Sequence, residues 1–257
     1  MNTLPGLDEV VERLNEARRV LIITGAGISA DSGLPTYRGF GGLYNDTLTE
    51  DGMSIEVALS GEVMRSQPAI TWKHLARIEA NCRGAAPNAA HTLIAALQER
   101  VPTTVLTQNI DGFHRRAGSR DLIEIHGDLF ELECVQCAHH ETVADYSELT
   151  TLPPPCPHCR GYLRPGVVLF GEALPRAAIQ RLDAVLREGY DLVFSIGTTS
   201  VFPYIAQPFA VAGRYGALAV EINPGDTAVS EYADLRWKIG AAQAMQALWQ
   251  ALPASAG

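Results

Sequence analysis

Four of the five cysteines in this chain fall into two Cys-x-x-Cys steps, Cys134/Cys137 and Cys156/Cys159, separated by residues 138–155. Two such steps about 15–20 residues apart close a tetrahedral four-thiolate shell. The spacing therefore predicts one structural Zn2+ per chain. A shell completed by four cysteines leaves no open position for a substrate, so this metal folds the segment around it and does no chemistry. His139, His140 and His158 lie beside the pairs, but the shell does not need them. The odd cysteine count argues against a disulfide framework, and Cys82 reads as a buried, inert thiol.

The rest of the chain follows another rhythm. Short apolar, β-branched runs recur at 20–24 (VLIIT), 103–107 (TTVLT), 122–125 (LIEI), 191–196 (DLVFSI) and 217–222 (ALAVEI). Helical patterns lie at 7–18, 88–100, 175–188, 203–214 and 241–251. Apolar strands alternating with helices predict a parallel sheet covered on both faces. Two stretches break the alternation: 37–85, with turns and helical pieces but no clear strand, and 127–166, with the cysteine pairs and the step LPPPCP. The expected fold class is α/β. A Rossmann-like parallel sheet with helices on both faces is built from residues 1–36, 86–126 and 167–257. A smaller lobe combines a helical insertion (37–85) with a zinc-ribbon module (127–166).

After VLIIT the chain reads Gly25-Ala26-Gly27-Ile28-Ser29-Ala30, which fits G-x-G-x-x-G/A. Glycines there let the backbone approach a pyrophosphate, and a helix N-terminus favours the anion. The dehydrogenase form of this motif needs a second strand ending in an acid about 20 residues on. Here TYRGFGGLYNDTLTE offers Asp46 and Glu50 but no strand to carry them. The loop thus predicts a dinucleotide held in a different arrangement. A net charge of −9 disfavours nucleic acid and suits basic, lysine-bearing partners. No apolar run approaches the roughly 20 residues of a membrane helix. The start, MNTLPGLDEVVERLNEARR, lacks the layout of a secretory leader, so a cytoplasmic protein is expected.

The glycine loop continues as GAGISADSGLPTYRG (25–39), which closely resembles the signature of the sirtuins. Four further blocks match in that family's order: TQNIDGFHRRAG (107–118), IEIHGDLFELEC (123–134), LRPGVVLFGE (163–172) and SIGTTSVFP (195–203). The cysteine pairs fall where sirtuins carry zinc, and EINPGD (221–226) falls at an adenosine-side loop. The likeness spans roughly residues 7–250. It implies an NAD-dependent protein-lysine deacylase (deacetylase) whose NAD lies between the Rossmann-like domain and the zinc lobe. Its partners would be acylated lysine side chains of other proteins. Carried over by position, Gly25, Ala26, Gly27, Ser29, Thr36, Tyr37 and Arg38 line the phosphates and nicotinamide ribose. Gln108, Asn109 and Asp111 line the ribose and nicotinamide pocket. Gly197, Thr198, Thr199, Asn223 and Ala241 hold the adenosine half. His126 is the catalytic base, assisted by Asn109. Val168 and Phe170 form the lysine tunnel, while Gly171 and Glu172 meet the substrate backbone as an added strand.

The implied reaction releases nicotinamide, joins the acyl oxygen to the sugar, and needs a base to activate a ribose hydroxyl; it yields O-acyl-ADP-ribose and free lysine. Histidine suits that task because its ordinary pKa lies near working pH. His126 ends the run LIEI, and strand C-termini face the ligand crevice of α/β sheets. Sirtuins that take succinyl or malonyl groups carry Tyr-x-x-Arg in the helical insertion. Residues 68–84 (PAITWKHLARIEANCRG) contain no such pair, although Trp72, Lys73, His74 and Arg77 lie there. Uncharged acyl groups are therefore expected. Tyr37 stands where the family often has Phe, and Phe202-Pro203-Tyr204 departs from the usual pattern. The rival readings are an ADP-ribosyltransferase on the same fold and a non-catalytic zinc-ribbon module.

Overall fold

A strand that is apolar on both sides is satisfied only between two helical layers, and that condition organises most of the chain. In the computed structural model, which describes residues 4–36 and 48–253, α1 (Leu7–Glu16) leads into β1 (Val20–Thr24) and a 3-10 turn over Ala26–Ser32. The helical insertion follows as α2 (Ile55–Ala58), α3 (Gly61–Ser66) and α4 (Pro68–Cys82). Next come α5 (Ala89–Leu97), β2 (Thr103–Thr107), α6 (Phe113–Arg116) and β3 (Leu122–Glu124). The second excursion holds β4 (Gly127–Cys134), β5 (His140–Thr142) and β6 (Leu163–Val167). The chain then returns through α7 (Arg176–Glu188), β7 (Leu192–Ile196), α8 (Pro203–Ala210), β8 (Leu218–Ile222), β9 (Leu235–Trp237) and α9 (Ala241–Ala251).

Six strands form one parallel sheet in the order β3-β2-β1-β7-β8-β9. Val20 lies opposite Thr103 on one side and Leu192 on the other. From β1 the sheet grows one way to β2 and β3; from β7 it grows the other way. A crevice therefore opens beyond the C-terminal ends of β1 and β7, where ligands bind in such sheets. Alternate side chains feed two cores. Ile22, Phe194 and Val220 pack with Val10 of α1, Ile94 of α5 and Met245 of α9. Leu21, Ile23 and Val193 pack with Leu182 of α7 and Phe209 of α8. The sixth strand, β9, escaped the sequence reading. It is three residues long and carries a charge, Arg236, which pairs with the buried Glu221 on β8 at 2.7 Å.

A second, antiparallel sheet, β5-β4-β6, gathers its own core with α4. Trp72, Leu75, Leu129, Leu132 and Leu163 meet there, and the fully buried Trp72 donates its indole N–H to the Leu163 carbonyl at 3.0 Å. Among the described residues no helix is long and apolar enough to cross a membrane.

The chain leaves the large sheet at His126 and enters the small one at Gly127. Gly127 has φ +79, and a Cβ there would lie 1.9 Å from the Gly166 carbonyl oxygen. Gly127→Ala is expected to lower stability by about 2–4 kcal/mol, because it combines a forbidden φ with a backbone clash. Gly213→Ala, with nothing within 4 Å of its new Cβ, is the control. Thermal melting checks both, and equal midpoints would show that the junction tolerates a side chain.

Candidate functional site

The turns that follow β1 and β7 touch backbone to backbone. The Gly27 amide donates to the Gly197 carbonyl at 2.7 Å, and the Gly25 amide to the Ile196 carbonyl at 3.2 Å. A Cβ on Gly27 would meet the Gly197 Cα at 2.7 Å; one on Gly197, whose φ is +60, would meet the Ile28 nitrogen at 2.3 Å. Beside these bare turns lies a cavity of about 820 Å³, within the usual range for small-molecule sites.

The structure brings most of the expected residues to this one cavity. Gly25, Ala26, Gly27 and Thr36 border it from the loop after β1, and Gln108 and Asn109 from the end of β2. His126 enters after β3, and Gly197, Thr198 and Thr199 after β7. Asn223 follows β8, and Ala241 begins α9. Val168, Phe170, Gly171 and Glu172 close the opposite wall. Ser29 and Asp111 stand one layer behind. Both are buried, the Ser29 hydroxyl donates to Asp111 at 2.7 Å, and they border a separate space of about 30 Å³. Tyr37 and Arg38 lie outside the described residues.

Side chains lock the turns together. Gln108 donates to the Thr198 hydroxyl at 2.7 Å, and Asn223 to the Thr198 carbonyl at 3.2 Å. Asn109 donates to the Gly25 carbonyl at 3.2 Å. Burial raises the Asp111 carboxyl, opposed by bonds from the Phe113 amide and Ser29. Asp31 was not singled out from the sequence, yet it borders the cavity and accepts the Ala242 amide at 3.0 Å, fixing the start of α9. Its signal was an acid near a helix N-terminus, visible only once α9 is placed beside the loop.

His126 sits at the meeting of the two sheets. Its Nδ1 lies 3.0 Å from the Gln108 carbonyl, which can only accept, so Nδ1 carries the proton. The lone pair is then on Nε2, 2.7 Å from the Tyr204 hydroxyl. Burial pulls the imidazole below its ordinary 6.5, and the Gln108 carbonyl partly restores it. The ring is therefore neutral near pH 7 and keeps a lone pair at the cavity.

The opposite wall is held from both excursions. Val168 donates to the His126 carbonyl at 2.9 Å, Phe170 to the Leu59 carbonyl at 3.0 Å, and Gly61 to the Phe170 carbonyl at 3.0 Å. The Glu172 carboxylate is already spent: Arg164 grips it at 2.7 and 2.9 Å, and the Leu169 amide donates to it at 3.0 Å. Leu59, Leu75, Ile78 and Ile110 also border the cavity. The sequence reading missed them because an apolar residue facing a cavity has the same pattern as one facing a core.

Away from this cavity the four paired cysteines converge. Their sulfurs all lie within 4.8 Å of one another, with Cys134–Cys159 at 3.5 Å and Cys137–Cys156 at 3.7 Å. A tetrahedral zinc with bonds of about 2.3 Å places its sulfurs roughly 3.8 Å apart, so the set fits that ion. Amides of Gln136, His158 and Gly161 point at the sulfurs at 3.2–3.4 Å. His139 bonds Glu141 instead, and His140 is exposed. Cys82 is buried, and burial pushes its thiol up to about 12.

Residues 25–203 match the model of the Sir2 family. The chain belongs to the Sir2 family. Among the curated relatives of this Sir2-family chain, NAD-dependent protein deacylase 2 of Pseudomonas aeruginosa is 51% identical over 88% of this chain and 90% of its own length. NAD-dependent protein deacylase of Aquifex aeolicus is 36% identical over 94% and 97%. A solved Sir2 homologue in complex with NAD superposes with TM-score 0.84 at 32% identity, covering 95% of this chain and 92% of that one. A Sir2 variant with a deacetylated p53 peptide and 3'-O-acetyl ADP ribose gives 0.84 at 31%, covering 95% and 97%.

In this Sir2-family chain the metal is expected to be structural. Cys156→Ser, or a strong chelator, should strip amide-exchange protection from β4–β6 and leave β1, β2 and β7 protected. Loss spread evenly over both sheets, or none, would contradict a local structural role.

Proposed function

We propose that this chain is an NAD-dependent protein-lysine deacylase acting on uncharged acyl groups, with His126 as its base. One observation carries the reading: His126, whose Nδ1 is committed to the Gln108 carbonyl, borders the same cavity as the bare glycine turns and the Val168–Phe170 wall. The deacylase names of the relatives support it. In this reading the chain divides into a Rossmann-like lobe (1–36, 86–126, 167–257) and a small lobe (37–85, 127–166) that flank the cleft, and it works in the cytoplasm.

Bound NAD supplies a sugar carbon that becomes electrophilic as nicotinamide departs. The chain's residues do the rest. Gly25, Ala26 and Gly27 offer backbone where a diphosphate can come close. Gln108 and Asn109 present amides at the reacting end, and Asn223, Thr199 and the α9 start at Ala241 hold the far end. Val168 and Phe170 flank the acyl-lysine, and the backbone of Gly171 and Glu172 pairs with the peptide. His126 Nε2 takes the proton of a ribose hydroxyl, whose oxygen then bonds the acyl carbon; one water adds to that carbon as its C–N bond to lysine breaks, so that the products are O-acyl-ADP-ribose and free lysine.

The cations of α4 support the preference for uncharged acyl groups. Lys73 pairs with Asp51 and, at 3.0 Å, with Glu50; His74 lies 3.1 Å from Asp51, and Arg77 2.6 Å from Glu50. The side chains that α4 sends to the cavity are Leu75 and Ile78, spaced i, i+3. A carboxylate there would lose water without gaining a partner.

With an acetyl-lysine peptide, release of nicotinamide and O-acetyl-ADP-ribose is expected, and His126→Ala should lower kcat by about 10²-fold or more. ADP-ribosylated protein as the product would favour the transferase reading instead. The base must be neutral to act, so the acid limb of kcat/KM should have its midpoint below 6.5; a midpoint above 6.5 would contradict the burial that depresses it. Leu75→Tyr with Ile78→Arg should raise kcat/KM for succinyl-lysine by about 10-fold or more, the worth of a charge-assisted bond. A panel of acetyl and succinyl peptides checks this, and no gain would show that these two side chains do not meet the acyl group.

A further inference from the structure

The proposed reaction leaves one contact of the base unexplained. Because Nδ1 of His126 donates to the Gln108 carbonyl, Nε2 is the nitrogen able to accept a proton. That acceptor already has a donor, the Tyr204 hydroxyl at 2.7 Å. Tyr204 borders the cavity beside His126, so its hydroxyl stands in the space a sugar hydroxyl must enter to reach Nε2. Among the described residues, the charged groups bordering the same cavity are otherwise engaged. Asp31 holds the Ala242 amide, Glu172 is gripped by Arg164, and Asp226 pairs with Arg236 and Lys238.

The segment that delivers Tyr204 is strained. Ser200, between β7 and α8, has φ +53, is buried, and its hydroxyl has no hydrogen-bond partner among the described residues. A non-glycine residue in that region is disfavoured and recurs at switch segments. The next helix, α8, starts at Pro203 without a side-chain cap. The Tyr204 ring stacks on Phe202 at 5.5 Å, and both rings stand edge-on to His126.

We propose that Tyr204 is a positioning residue for the base: its hydroxyl holds the His126 ring in the sugar-free enzyme by filling Nε2, and a ribose hydroxyl of the co-substrate displaces it. One O–H···N bond breaks and one forms, and the sugar proton passes to Nε2 only after the exchange. This rests on His126 being the base.

The test is ADP-ribose binding by calorimetry, which needs no turnover. Tyr204→Phe keeps the ring stack and removes the competing hydroxyl. It should tighten ADP-ribose by about 3–10-fold, the worth of one hydrogen bond, and should have no effect in a His126→Ala background. In nitrogen NMR, the resonance missing from His126→Ala should move downfield in Tyr204→Phe and return when ADP-ribose is added. Unchanged or weaker binding, an equal effect without His126, or an unmoved resonance would overturn the proposal. Turnover of His126→Ala with an acetyl-lysine peptide separately tests the base: wild-type rates there would sink that role whatever Tyr204 does.

Discussion

The cleft depends on two backbones lying in contact at the switch point of the sheet. Gly27 and Gly197 approach so closely that neither position can take even one carbon. That contact draws together the ends of β1 and β7, and with them every group that borders the cavity from the large sheet. Gln108, Asn109 and Asn223 then bridge the turns with amides. The outcome is a floor of closely packed backbone with amide side chains at its edges.

The second constraint is the junction at His126 and Gly127. One residue ends the run from β3 and the next begins β4, so His126 is fixed by two sheets at once. Its ring is held by the Gln108 carbonyl from the large sheet, and its own carbonyl holds Val168 of the opposite wall. Acid–base chemistry gains from that rigidity because a proton acceptor must stay within hydrogen-bond reach of its target. The metal module supports the same wall from a distance. Four sulfurs gather β4 and the loop before β6, and α4 packs Trp72 against them.

The remaining wall is shared. Phe170 is tied to Leu59 and Gly61 of the helical insertion, while Glu172 is tied to Arg164 of β6. Two stretches more than 100 residues apart in sequence thus shape one side of the cleft. The apolar character of that side, from Leu59, Leu75 and Ile78, comes from the insertion and not from the ordered motifs.

The amino-acid sequence by itself determined the layered α/β core, the zinc ligands and the family, because each is written in local spacing: β-branched runs fit buried strands, and Cys-x-x-Cys fits a metal corner. It also placed the glycine turn and His126 at strand ends. Only the tertiary structure decided what faces the cavity. Leu75 and Ile78 have the periodicity of core residues, Asp31 acquires its role from a helix more than 200 residues downstream, and Tyr204 reaches His126 across 78 positions. Even β9, with a charge at its centre, was legible only beside the buried Glu221 that pairs with it. Local pattern fixes which elements form; the partner of a polar or cavity-facing side chain is set by packing between distant segments.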